Sequence, residues 1–192
     1  PENKQFVLET ISACLNSNTT FDLACMLDTD ADRVGFVAPN GDDGFEVLNR
    51  NRFVAVMSKI ACDDDDDDDD YDNDDTCTIV TDSVTSTGLT KFIEKTLNHR
   101  HVRYKKGYLN VINEGKRLVS EGVNCKLAIE TSGHSAFRCN NWLDDGTYSA
   151  VRVIAELKNN GSPLLSMISA LEEPSYEEEL RMPVLDGSIE ST

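Results

Sequence analysis

The sequence predicts an α/β protein with a mixed or parallel sheet and helices on its flanks. Two observations carry that reading. Between Thr76 and Ile129, short runs rich in β-branched residues alternate with amphipathic segments in the order strand, helix, strand, helix, strand. At 192 residues the chain also has enough length for a real core, in one large or two small domains.

Taken in order, Phe6, Val7, Leu8, Ile11, Cys14 and Leu15 recur at helical spacing and predict a helix over roughly residues 3–16. A polar turn from Asn16 to Thr20 follows. The apolar runs Leu23–Leu27 and Val34–Val37 read as strands around a polar hexapeptide, and Asn40 to Gly44 is a strong turn signal. Leu48, Phe53, Val56, Met57 and Ile60 mark another helix. Thr76–Thr81 reads as a strand, and Leu89, Phe92, Ile93 and Leu97 as a helix capped in the Ser86-Thr87 region. His101–Tyr104 is a strand, broken at Gly107. Val111, Ile112, Gly115 and Leu118 carry a helix, and Lys126–Ile129 a further strand. Asp144 to Thr147 reads as a turn and helix start, with Asp145 as cap and Tyr148, Val151, Ile154 and Ala155 as the buried face. Pro163–Leu171 is a last helix, and the acidic tail beyond Glu172 reads as a linker.

The formal charge of −17 is local in origin. Eleven aspartates lie between Asp63 and Asp75, and removing their eleven charges leaves −6. Such a block repels itself and buries nothing, so it reads as a disordered insertion in a surface loop. No basic stripe supports nucleic-acid binding, and no apolar run reaches the length of a membrane span. The six cysteines form no C-x-x-C pair, and several sit inside apolar runs. They read as reduced core thiols of a cytoplasmic protein, neither a disulfide framework nor a zinc site. The chain begins at Pro1, inside the first helix, which leaves organelle targeting open.

The chemistry concentrates in Asp28-Thr29-Asp30-Ala31-Asp32-Arg33. Alternate residues of an extended segment face the same way, so Asp28, Asp30 and Asp32 can converge on one cation. Hard oxygen ligands suit Mg²⁺, and an adjacent Arg33 suits phosphate. An EF-hand loop requires Gly sixth and Glu twelfth, where this chain has Arg33 and Pro39. A plain polar turn and a haloacid-dehalogenase-type phosphatase with Asp28 as nucleophile stay open as alternatives, as does an acidic cation-binding protein run by the Asp tract. A second cluster, Glu130-Thr131-Ser132-Gly133-His134, has the composition of a polyol grip: Glu accepts from hydroxyls, Ser and His add directional bonds, and Gly admits close backbone. Read alone, Glu130 also fits a surface carboxylate and His134 a turn residue. His99 and His101 read as structural.

Together, residues 28–33, Thr87-Gly88-Leu89, Lys105–Val111, Glu130–His134 and Asp144–Ala150 resemble, in order and separation, the α-D-phosphohexomutases, the phosphoglucomutase/phosphomannomutase superfamily. The resemblance covers most of residues 1–172. It implies that residues 1–46 are the C-terminal part of a metal-binding second domain. Residues 47–172 would be a sugar-binding third domain with the Asp-rich insertion at 62–76, and residues 173–192 a linker towards a fourth domain. No serine-histidine nucleophile segment and no fourth-domain phosphate loop is found, so the chain resembles a central fragment, expected to be inactive alone. The implied reaction interconverts hexose 1-phosphate and hexose 6-phosphate through a phosphoserine and a hexose 1,6-bisphosphate. Asp28, Asp30 and Asp32 would hold Mg²⁺, and Arg33 would serve catalysis. Lys106, Gly107, Tyr108, Glu130, Ser132, Gly133 and His134 would contact the phosphosugar. Tyr108 stands where many bacterial relatives have His, and Ser83 where some have Lys.

Overall fold

In the computed structural model of the chain, residues 4–16, 21–41, 44–63, 76–176 and 178 are described. Most of the predicted 16–20 turn, the Asp tract from 64 to 75 and the end of the tail lie outside them. Helix α1 spans Lys4–Leu15, and three strands follow: β1 Ala24–Leu27, β2 Val34–Pro39 and β3 Phe45–Val47. They form an antiparallel sheet in the order β1-β2-β3. Strand β3 escaped the sequence reading because three residues behind a turn carry no resolvable period.

Helix α2 (Arg50–Cys62) starts where the Asn49 side chain accepts the Arg52 amide at 2.9 Å. Then come β4 (Thr78–Asp82), α3 (Thr87–Lys91) running into a π-helical turn at Phe92–Thr96, β5 (Arg100–Tyr104), α4 (Tyr108–Ser120), β6 (Cys125–Ile129) and β7 (Ser135–Phe137). The second sheet has the order β5-β4-β6-β7. Strands β4, β5 and β6 run parallel, and β7 is antiparallel to β6, so the sheet is mixed. All five residues of β4 are buried, as expected of a central strand covered on both faces. Its side chains alternate between two cores: Ile79 packs with α2 and the π turn, and Val80 with Val111, Ile112 and Leu118 of α4.

The larger core also takes Val34, Phe36 and Ala38 from β2, which locks the small sheet onto α2 and α5 (Gly146–Asn160). The predicted inner face of α5 needs correction. Ser149, Ala150 and Val153 face inward, while Val151 and Ile154 are exposed. The start of the helix is tied by the Asp145 amide to the Ser135 carbonyl at 3.2 Å and by the Ser149 hydroxyl to Ser135 Oγ at 2.6 Å, contacts that go with a polar residue facing inward. The last predicted helix is a short 3-10 turn, Leu164–Ile168. Among the described residues, no helix is long and apolar enough to cross a membrane.

Candidate functional site

The hexapeptide 28–33 joins β1 to β2 as a tight turn, not as an extended run. Ala31 takes a left-handed φ of 61°, its amide reaches back to the Asp28 carbonyl at 3.2 Å, and the Arg33 amide donates to Asp28 Oδ1 at 3.2 Å. The three carboxylates do converge, with one oxygen each of Asp28, Asp30 and Asp32 within 4.8 Å of one another. Chain reversal, not the pleat invoked from sequence, brings them together. An alanine held at positive φ costs about 1–2 kcal/mol, and something must hold it there.

That support comes from the start of α5. The Gly146 amide donates to the Ala31 carbonyl at 3.0 Å. A Cβ on Gly146 would lie 2.7 Å from the Arg33 carbonyl carbon and 2.9 Å from the Ala31 oxygen, so only glycine permits the approach. Asp145 caps the helix, accepting the Tyr148 amide at 2.8 Å, as predicted. Asp144, which the sequence reading assigned only to a turn, faces the site. Its carboxylate accepts the Ser135 amide at 3.1 Å and lies 2.6 Å from His134 Nδ1.

The second cluster leaves the carboxyl end of β6. Glu130, 4% exposed, accepts the Gly107 amide at 2.5 Å on one oxygen and the Ser132 hydroxyl at 2.9 Å on the other. Gly133, at φ 104°, sets its carbonyl towards the Val34 amide, and Arg33 and His134 form an antiparallel bridge. The two loops therefore meet edge to edge. His134 Nδ1 lies 3.7 Å from Asp32 Oδ2, and the Tyr108 ring stacks on the imidazole with centroids 4.8 Å apart. Lys106 is exposed beside them, its carbonyl accepting the Asn110 side chain at 2.9 Å.

Asp82, at the end of β4, was missed. It is buried and accepts the Val84 amide (2.9 Å), the Thr131 amide (3.0 Å) and the Thr131 hydroxyl (2.7 Å). A lone carboxylate closing an apolar strand was the available signal, the one that exposed Asp28. His101 is structural as read, held between Thr81 and Thr90 at 2.8 and 2.9 Å.

Charge is unevenly shared within the cluster. Burial would raise Asp28, but the hydrogen bonds and charge of Arg33, whose Nε sits 2.5 Å from Oδ2, hold it below the usual carboxylate range. Asp32 is pushed up by burial, with Asp28, Asp30 and Asp144 adding to the effect against His134. For His134, burial opposes the charged ring, but the hydrogen bond and charge of Asp144, with Asp32 behind, raise it above the ordinary histidine range.

Fold and cluster together define an α/β domain that joins an acidic turn to a hydroxyl-bearing loop. The chain belongs to the phosphoglucomutase/phosphomannomutase family: residues 49–174 match its alpha/beta/alpha domain III. No curated protein matches it. Among solved structures, a phosphoglucomutase/phosphomannomutase family protein of Burkholderia thailandensis is similar at TM-score 0.65 and 20% identity, over 88% of this chain and 32% of that one. A Thermus thermophilus protein assigned as a phosphomannomutase gives TM-score 0.64 and 17% identity, over 89% and 34%. The Aspergillus fumigatus N-acetylphosphoglucosamine mutase, solved with GlcNAc-6P and magnesium, gives 0.61 and 15%, over 82% and 34%. The chain thus spans about a third of the length of these structures. These likenesses support the α/β fold, and they favour neither the phosphatase nor the acidic-tract alternative.

Proposed function

We propose that this chain supplies the magnesium turn and the sugar loop of a phosphohexomutase, an enzyme moving a phosphoryl group between the 1- and 6-positions of a hexose phosphate. The observation that carries the reading is the Asp32–His134–Asp144 cluster, which ties the acidic turn directly to the hydroxyl-binding loop. In this reading residues 1–46 belong to the metal-binding domain, 47–172 to the sugar-binding domain, and 173–192 lead towards a fourth.

The residues present suit a hard divalent cation. Asp32 Oδ1 is buried and accepts no hydrogen bond, an arrangement whose desolvation a cation would offset. Asp28, Asp30 and Asp32 would hold Mg²⁺, which when bound supplies positive charge to the oxygens of a transferring phosphoryl group. Arg33, already beside the turn, adds a planar fork of donors for the same oxygens. The Glu130 oxygens each keep a lone pair beyond their bonds to Gly107 and Ser132, free to accept from sugar hydroxyls. His134, held at Nδ1 by Asp144, would meet a sugar hydroxyl through Nε2, with the Tyr108 ring stacked on its imidazole. Lys106, Gly107, Ser132 and Gly133 would line the sugar from the flanking loops. The phosphoryl donor and the hexose 1,6-bisphosphate intermediate belong to the longer enzyme, so the isolated chain should bind but not turn over.

Calorimetric titration of the full chain with Mg²⁺ tests this. Asp30→Asn should weaken binding at least tenfold, and deletion of residues 64–75 should leave the same site unchanged. Loss of the signal on deleting the tract, or glucose 1-phosphate isomerisation by the chain alone, would overturn the proposal.

A further inference from the structure

Away from that site, Cys62 at the carboxyl end of α2 and Cys77 just ahead of β4 bring their sulfurs to 3.0 Å. In sequence they flank residues 63–76 and match no cysteine motif, so only the fold reveals the pair. Closing by about 1 Å would reach the 2.03–2.05 Å of an S–S bond. Cys77 is buried and Cys62 half-buried, so Cys62 is the less enclosed of the two. We propose that Cys62 and Cys77 are a redox-active dithiol that oxidises to a disulfide, joining the end of α2 to the start of β4.

The local chemistry favours exchange. The hydrogen bond between the two thiols lowers Cys77 against the cost of burial and raises Cys62, so the pair holds one proton between its sulfurs. The pair therefore gives up its first proton readily and keeps the second. A zinc site is the competing use of Cys62, Cys77 and His99. However, His99 Nδ1 accepts the Cys77 amide at 3.1 Å, so the neutral ring carries its proton on Nε2 and has no lone pair left for a metal. Two thiolates fall short of the four ligands a structural zinc takes.

With a low-molecular-weight disulfide as oxidant, the shared proton moves to Cys77. Cys62 Sγ then attacks one sulfur of the reagent, and one small thiolate leaves. That thiolate takes the proton from Cys77, whose Sγ attacks Cys62 Sγ and expels the second small thiolate, which recovers from water the proton the pair first released. One small disulfide becomes two small thiols as the dithiol becomes one protein disulfide.

The test incubates the full chain with oxidised glutathione, quenches in acid, alkylates and reads intact mass and peptides. The expected result is a product two hydrogens lighter, with a 62–77 cross-linked peptide that is missing in Cys62→Ser and Cys77→Ala. The oxidised chain should also melt about 5–10 °C higher. Persistent glutathione on one cysteine, full alkylation of both thiols, a cross-link through Cys25 or Cys139, or stoichiometric zinc that blocks oxidation would each overturn the assignment. The peptide map of the unaltered chain decides the matter even where a variant fails to fold.

Discussion

Gly146→Ala tests whether the start of α5 clamps the acidic turn. The added methyl would fall 2.7–2.9 Å from backbone atoms of Arg33 and Ala31, which have no flexible end to yield. Overpacking against such a wall costs about 1–3 kcal/mol. Losing the Gly146 amide bond to Ala31 adds about 0.5–1.5 kcal/mol. Alanine restricts the unfolded chain and recovers about 0.4–1 kcal/mol, since Gly146 does not need a positive φ. The net loss is about 2 kcal/mol, a fall of about 4–8 °C in melting temperature for a chain of this size. Circular dichroism melts measure it, with Gly44→Ala as control, because a Cβ at Gly44 meets nothing within 4 Å. Magnesium affinity should fall severalfold in the first variant and stay put in the second. Equal melting and equal affinity for Gly146→Ala and the unaltered chain would refute the clamp.

Three further outcomes are expected. His134 is raised above its ordinary value of about 6.5, so the stability it contributes is complete below that pH and is lost as pH rises through the folded value. Chemical unfolding across pH 5–9 should show this loss, and Asp144→Asn should flatten it. Arg33→Gln removes a cation that shares Asp28 with any metal, so Mg²⁺ should bind about fivefold tighter, the weight of roughly 1 kcal/mol for one charge about 4 Å away in near-aqueous surroundings. Weaker binding in calorimetry would show that Arg33 instead shapes the turn. Asp82→Asn turns an amide group towards donors that now meet a carboxylate, and should cost about 1–3 kcal/mol in urea unfolding.

The elements legible in the sequence were those with a period or a cap. Helices α2 and α4 and strand β4 stood out through apolar spacing, and Asp145 through its place ahead of a helical run. Strands β3 and β7, three residues each, were too short to show one. The inner face of α5 was misplaced because hydrophobicity pointed to Val151 and Ile154. Polar tethers at the helix start, Asp145 and Ser149 on Ser135, go with the other rotation and carry no apolar signal. In the site, the residues of the acidic turn were found by type, but their convergence was credited to the wrong geometry. Asp144 and Asp82 were passed over because their partners lie far off in sequence: Ser135 and His134 for one, Thr131 for the other.

Those overlooked carboxylates explain how the acidic turn and the 130–134 loop are held as one unit. Asp82 fixes Thr131 at the base of the loop, and Glu130 fixes Gly107, so the loop is tied to β4 and to the start of α4. Asp144 then holds His134 against Asp32, and Gly146, two residues on, holds Ala31. A cation at Asp32 and a hydroxyl at His134 would thereby be coupled through a single imidazole. A metal held by the turn would lower the negative charge facing His134 and so weaken the hold on its proton. Charge placed on the turn is thus felt in the 130–134 loop, as the proposed reading requires of a site that would handle a phosphoryl group and a ring hydroxyl together.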